Sequence, residues 1–165
     1  MSMIGCYRRV STAELEVLQA EPMALGAFLF PPGDVPPPVD RYLEVDKTWQ
    51  AIHFLLTGDP WAGGPPFANA VLGGEELSDE DQGYGPARFL VPEEVAAVAA
   101  ALATVPVEEL LARYDADSLN AAEVYPGGWT GGPEDRAFIG EHYASLRELF
   151  ANAAANGDGM ILYVA

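Results

Sequence analysis

The sequence predicts an α+β fold: a single compact domain, residues 1–165, in which a small mixed or mostly antiparallel sheet includes both terminal strands and is covered by several helices. Three observations lead there. Strand-like segments are few and unevenly separated by helical ones, which excludes a regular strand–helix alternation. Apolar strand-like runs stand at both ends, Met3 to Val10 and Met160 to Val164, and invite direct pairing. A chain of 165 residues, half of them apolar, with no internal repeat and no linker, has material for one core.

Met3-Ile-Gly-Cys-Tyr-Arg-Arg-Val10 reads as the first strand. Ser11 followed by Glu14 is a capping box opening a helix through about Ala20, with Val10 and Leu15 as its hydrophobic staple. A second short helix begins near Pro22. The run Pro31-Pro-Gly-Asp34-Val-Pro-Pro-Pro38 reads as a stiff extended connector, ahead of the alternative of a ligand for an aromatic groove. After Tyr42-Leu-Glu-Val45, Asp46 suits the N-cap of a helix to Leu56 or Thr57, which Gly58 ends. Trp49, Ile52, His53 and Leu56 share one face of that helix, the face expected to meet the core.

Farther on, Gly58 to Pro66 is turn material and Phe67 to Leu72 a short helix. Glu75-Glu-Leu-Ser-Asp-Glu-Asp81 reads as an acidic loop, and Arg88 to Val91 as a strand. Pro92 opens a helix that turns Val95, Val98 and Leu102 inward. Further helices are expected at about Pro106 to Tyr114, Ser118 to Ala122 and Pro133 to Asn156. The final strand, Met160 to Val164, is apolar on both faces and therefore expected at the centre of the sheet.

Charge and composition exclude several classes of partner. Eight basic residues against 25 acidic ones give a net charge of −17, a field that repels phosphate backbones and anionic lipids. Nucleic acid and membrane surfaces are thus not expected partners. The one adjacent basic pair, Arg8-Arg9, lies in a strand and is too small for a binding patch. The longest apolar run, Val95 to Ala103, is about half of the ~20 residues a membrane helix needs. Cys6 is alone, which fits a reducing compartment, and a cytoplasmic location is the expectation.

Motifs with a defined chemistry are missing from the sequence. It has no phosphate loop, no dinucleotide-binding glycine pattern and no nucleophile elbow. Two histidines and one cysteine show no close ligand spacing, so neither a metal nor another cofactor is expected. His53, with Trp49 and Thr57 at helical spacing and Asp46-Lys47 one to two turns earlier, is the leading candidate for acid–base work or ligand hydrogen bonding. The competing reading, a buried histidine satisfying a carbonyl, is the favoured one, just as Asp46 reads first as a helix cap. Two aromatic loops, at Trp61 and at Tyr125 to Gly132, either close over a ligand or plug the edge of the core, the plug being favoured for both.

A family resemblance rests on the same residues. Met3-Ile-Gly5, Leu43-Glu-Val-Asp-Lys-Thr-Trp49 running into Ile52-His-Phe-Leu-Leu-Thr-Gly58, Ala70-Val-Leu-Gly73 and Val124-Tyr-Pro-Gly127 together resemble the YfbM-like family in order and spacing over nearly the whole chain. The resemblance implies a compact α+β fold and supplies no activity, cofactor or catalytic residue. Asp46, Lys47, Trp49, His53, Thr57 and Tyr125 match its recurring motif and form the candidate pocket. The proline-rich segment and the Trp61 loop read as features of this member.

The functional expectation is a non-enzymatic binding or interaction module whose acidic surface meets a basic protein partner. The alternative is a small-molecule binder or enzyme with a pocket around His53, Asp46 and Tyr125.

Overall fold

The computed structural model describes residues 2–33 and 35–165, so Met1 and Asp34 of the proline-rich connector lie outside the described residues. Five strands, β1 (Gly5–Val10), β2 (Tyr42–Glu44), β3 (Glu75–Asp81), β4 (Pro86–Leu90) and β5 (Gly159–Val164), form one sheet in the order β2-β1-β5-β4-β3. Every neighbouring pair is antiparallel. Around it lie α1 (Thr12–Ala20), α2 (Leu25–Leu29), α3 (Trp49–Thr57), α4 (Pro92–Ala103), α5 (Val107–Ala112), α6 (Ala116–Ala121) and α7 (Pro133–Ala155). The chain is therefore α+β, with both terminal strands paired to each other along Gly5 to Val10.

Side-chain alternation in β5 explains why the sheet is covered twice. Met160 and Leu162 join a large core with α3, α4 and α7, whereas Ile161 and Tyr163 join a smaller one with α1 and α2. A strand apolar on both faces loses that burial at an edge, and β5 is central as expected. The chain enters α1 through the capping box: Glu14 N donates to Ser11 Oγ at 3.1 Å and Ser11 N donates to the Glu14 carboxylate at 2.9 Å. Gly58, at φ +84°, closes α3 as a left-handed cap.

Three expectations are corrected. The acidic segment Glu75–Asp81 is not a loop but the edge strand β3, held to β4 and anchored by buried Leu77. One apolar residue in seven is enough when the other side chains face water at an edge, and charges there discourage pairing with a further strand. Asp46 does not cap α3. It begins a single 3₁₀ turn at φ +52°, where its carboxylate accepts the Lys47 N–H at 2.8 Å, and α3 starts only at Trp49. The first strand likewise begins at Gly5 rather than Met3.

No helix among the described residues is long and apolar enough to cross a membrane.

Candidate functional site

The site is organised by α3, and its first residue sets the geometry. Trp49 packs so closely on β1 that a Cβ on Gly5 would lie 2.8 Å from the Trp49 Cβ, so only glycine fits there. The Trp49 indole N–H donates to the Met3 carbonyl at 3.0 Å, and the Tyr125 hydroxyl accepts the Met3 N–H at 2.9 Å. Trp49 and Tyr125 stack with centroids 5.9 Å apart and planes 25° apart. Three chain segments distant in sequence thus meet at one aromatic pair.

The next residue ties two loops to the helix. Gln50 is buried, accepting the Tyr125 N–H at 2.8 Å through Oε1 and donating from Nε2 to the Pro60 carbonyl at 3.1 Å. One turn later His53, fully buried, meets the Ala62 carbonyl through Nε2 at 3.0 Å. A carbonyl only accepts, so Nε2 carries the proton and Nδ1, buried without a partner, is the bare nitrogen. Desolvation, only partly offset by the Ala62 carbonyl, holds the His53 pKa below its ordinary value. Thr57 donates to the His53 carbonyl at 2.9 Å and accepts the Asp59 N–H at 3.3 Å. Asp59 Oδ1 in turn accepts the N–H groups of Trp61 at 2.8 Å and Ala62 at 2.7 Å, and these bonds, Ala62 first, lower its pKa.

The outcome of this scaffolding is that Trp61 projects outward. It is 66% exposed and meets Trp49 only at a tilt, with centroids 6.2 Å apart and planes 54° apart. Trp61 and Met3 form the ridge shared by two halves of a surface cleft. One half, about 360 Å³, runs over Trp49, Leu72 and Tyr84 to Arg88 and Glu76. The other, about 450 Å³, is lined by Gln50, Tyr125 and the turn Pro126–Gly128, with Asn120 and Glu123 at its side. Arg88 is held by its own chain: Nη1 donates to the carbonyls of Val71 at 3.0 Å and Gly73 at 2.8 Å.

Of the residues expected to form a pocket, the structure brings Trp49 and Tyr125 to the cleft. His53 and Thr57 stand behind it as supports of the Trp61 loop, and Asp46 and Lys47 line neither half. The plug expected of both aromatic loops describes Trp129, which is buried with its indole N–H on the Val124 carbonyl at 3.0 Å. It fails for Trp61, because the loop is fastened through its backbone and leaves the ring free. Gln50 and Glu123 were not among the candidates. A lone amide in the apolar run Trp49 to Leu56 is the signal that marks Gln50, whereas nothing local marks Glu123. Among the described residues, no group of three or more His, Cys, Asp or Glu is placed to hold a metal ion.

Comparison with known proteins places this geometry in context. A family model described as a domain of unknown function (DUF1877) matches residues 1–163. Protein YfbM of Escherichia coli strain K12 is 36% identical over 91 residues, a stretch spanning 53% of this chain and 53% of that protein, about half the length of each. The fold is similar to that of a crystal structure of YfbM from Escherichia coli, itself described as a protein of unknown function. The TM-score is 0.69, with 24% identity over 98% of this chain and 99% of that one.

Proposed function

The chain belongs to the YfbM-like family of domains of unknown function, and from that premise we propose that it is a non-enzymatic binding module whose acidic surface docks a basic protein partner. The use of its cations carries this reading. All seven arginines are engaged within the chain: Arg9 on Asp158, Arg8 and Arg41 on Glu14, Arg113 on Glu109, and Arg88, Arg136 and Arg147 on backbone carbonyls. Among the described residues these ion pairs engage only Glu14, Glu109 and Asp158, out of 25 acidic residues in the chain. Among the described residues the other carboxylates form no ion pair within the chain, and their charge attracts an external cation.

The same field disfavours nucleic acid and anionic membrane. That Cys6 is a single, unpaired cysteine supports a reducing, cytoplasmic setting. The alternative of a small-molecule site or enzyme using Asp46, His53 and Tyr125 draws its support from the cleft volumes and from Tyr125 alone.

The test is calorimetric titration with oligo-lysine and oligo-glutamate peptides of equal length over a range of salt. Oligo-lysine is expected to bind with an affinity that falls steeply as salt rises, and oligo-glutamate not at all. No binding of oligo-lysine at low salt, or equal binding of both peptides, would contradict the proposal.

A further inference from the structure

We infer, building on the binding-module reading, that the half-cleft between Trp61 and the Glu123–Gly128 segment takes an arginine side chain of the basic partner, its guanidinium on the Trp61 indole and its charge on the Glu123 carboxylate.

Trp61 is exposed without being loose. Its loop is fastened at Pro60 by Gln50, at Ala62 by His53, and at its own N–H and that of Ala62 by Asp59. An indole whose backbone is fixed before its ligand arrives has only its side-chain rotation to lose on binding, a property that suits an interface anchor.

The lining then restricts what fits. Asn120 spends both ends of its amide on Trp129, and Gln50 spends both of its own on Pro60 and Tyr125. Among the described residues Glu123 is the only charged side chain lining this half, and its carboxylate makes no hydrogen bond to them. A ligand here therefore meets aromatic faces and one free negative charge.

Glu123 also occupies a backbone position that favours glycine. It follows α6 at φ +56°, with the Glu123 N–H donating to the Asn120 carbonyl and the Val124 N–H to the Leu119 carbonyl, each at 3.1 Å or less. That is the left-handed end of a helix, where a side chain brings strain rather than stability. A glutamate is unfavourable to the fold there, which is consistent with a use for its carboxylate.

Guanidinium suits the pair better than ammonium. It is planar, stacks on an indole and presents a fork of N–H donors to a carboxylate, whereas a lysine offers a compact, strongly hydrated charge. The chain's net charge of −17 draws either cation in, and the site chooses between them.

The test compares oligo-arginine with oligo-lysine, by calorimetry and tryptophan fluorescence, on the wild-type chain and on Trp61→Ala, Glu123→Gly and Glu134→Gln. The wild type is expected to bind oligo-arginine several-fold more tightly than oligo-lysine, with a change in tryptophan emission. Trp61→Ala should lose about tenfold in affinity for oligo-arginine and its preference over oligo-lysine. Glu123→Gly should lose several-fold without a lower melting temperature, and Glu134→Gln, outside the cleft, should change little. Wild-type affinities in Trp61→Ala and Glu123→Gly, or equal binding of the two peptides by the wild type, would overturn the arginine site while leaving the acidic-surface reading intact. Failure of both peptides to bind the wild type at low salt would overturn that reading.

Discussion

The two nitrogens of His53 have unequal surroundings: Nε2 is spent on the Ala62 carbonyl and Nδ1 faces buried space without a partner. A second proton would have to sit on that Nδ1, so the folded state binds it less readily than the unfolded chain does. Stability is therefore lost as pH falls from the ordinary histidine value of 6.5 toward the lower folded pKa, and is insensitive to His53 above that window. Replacing His53 with Gln keeps a donor for Ala62 and removes the titration. Urea unfolding should show wild type ahead of His53→Gln at neutral pH, with the gap narrowing on acidification; a constant gap would contradict this assignment. Glu123 gives the opposite kind of test. Relief of its left-handed strain, set against the greater freedom of glycine in the unfolded chain, should leave Glu123→Gly unchanged or up to about 1 kcal/mol more stable, as read from its denaturation midpoint. At this scale the burial of His53 was legible, since it shares a helix face with the apolar Trp49, Ile52 and Leu56. The exposure of Trp61 was not, because glycine and proline turns carry no periodicity that says which way a ring points.

Among the elements, α3 does most to shape the site, with Trp49 and Gln50 in the cleft lining and His53 and Thr57 behind it. Removing both bonds of Gln50 with Gln50→Met strands the Tyr125 N–H and frees the Trp61 loop from below. A loss of about 1–3 kcal/mol is expected, together with faster hydrogen exchange at Tyr125; an unaltered exchange rate would mean that the loops hold without Gln50. The start of α1, the end of α3 and the central place of β5 could be read from the sequence because each depends on a local pattern: a capping box, a glycine, an unbroken apolar run. β3 could not, because a seven-residue edge strand with Leu77 as its single buried residue has no alternation to detect. Nor could the start of α3, because the left-handed turn at Asp46 satisfies its carboxylate on Lys47 before the helix begins. The cleft itself joins Met3, Trp61 and Tyr125, three segments that only the fold brings together.

For the whole molecule, charge and function are linked. Carboxylates that lack internal partners repel one another, so the compact state is destabilised at low ionic strength. Raising salt shortens the Debye length from about 30 Å at 0.01 M to about 8 Å at 0.15 M, and the melting temperature should rise with it. A melting temperature that falls over this range would mean that the few internal ion pairs outweigh the repulsion. Screening should stabilise the free protein and weaken its complex with a basic partner at the same time. The most direct measurement of the proposed binding follows the indole N–H signals of the three tryptophans by NMR during titration with oligo-arginine. Those of Trp49 and Trp129 are bonded to the carbonyls of Met3 and Val124 and should stay in place. A shift concentrated at Trp61, reversed by salt, is the expected result; an unmoved Trp61 signal, with perturbations spread along the acidic edge of β3, would contradict it.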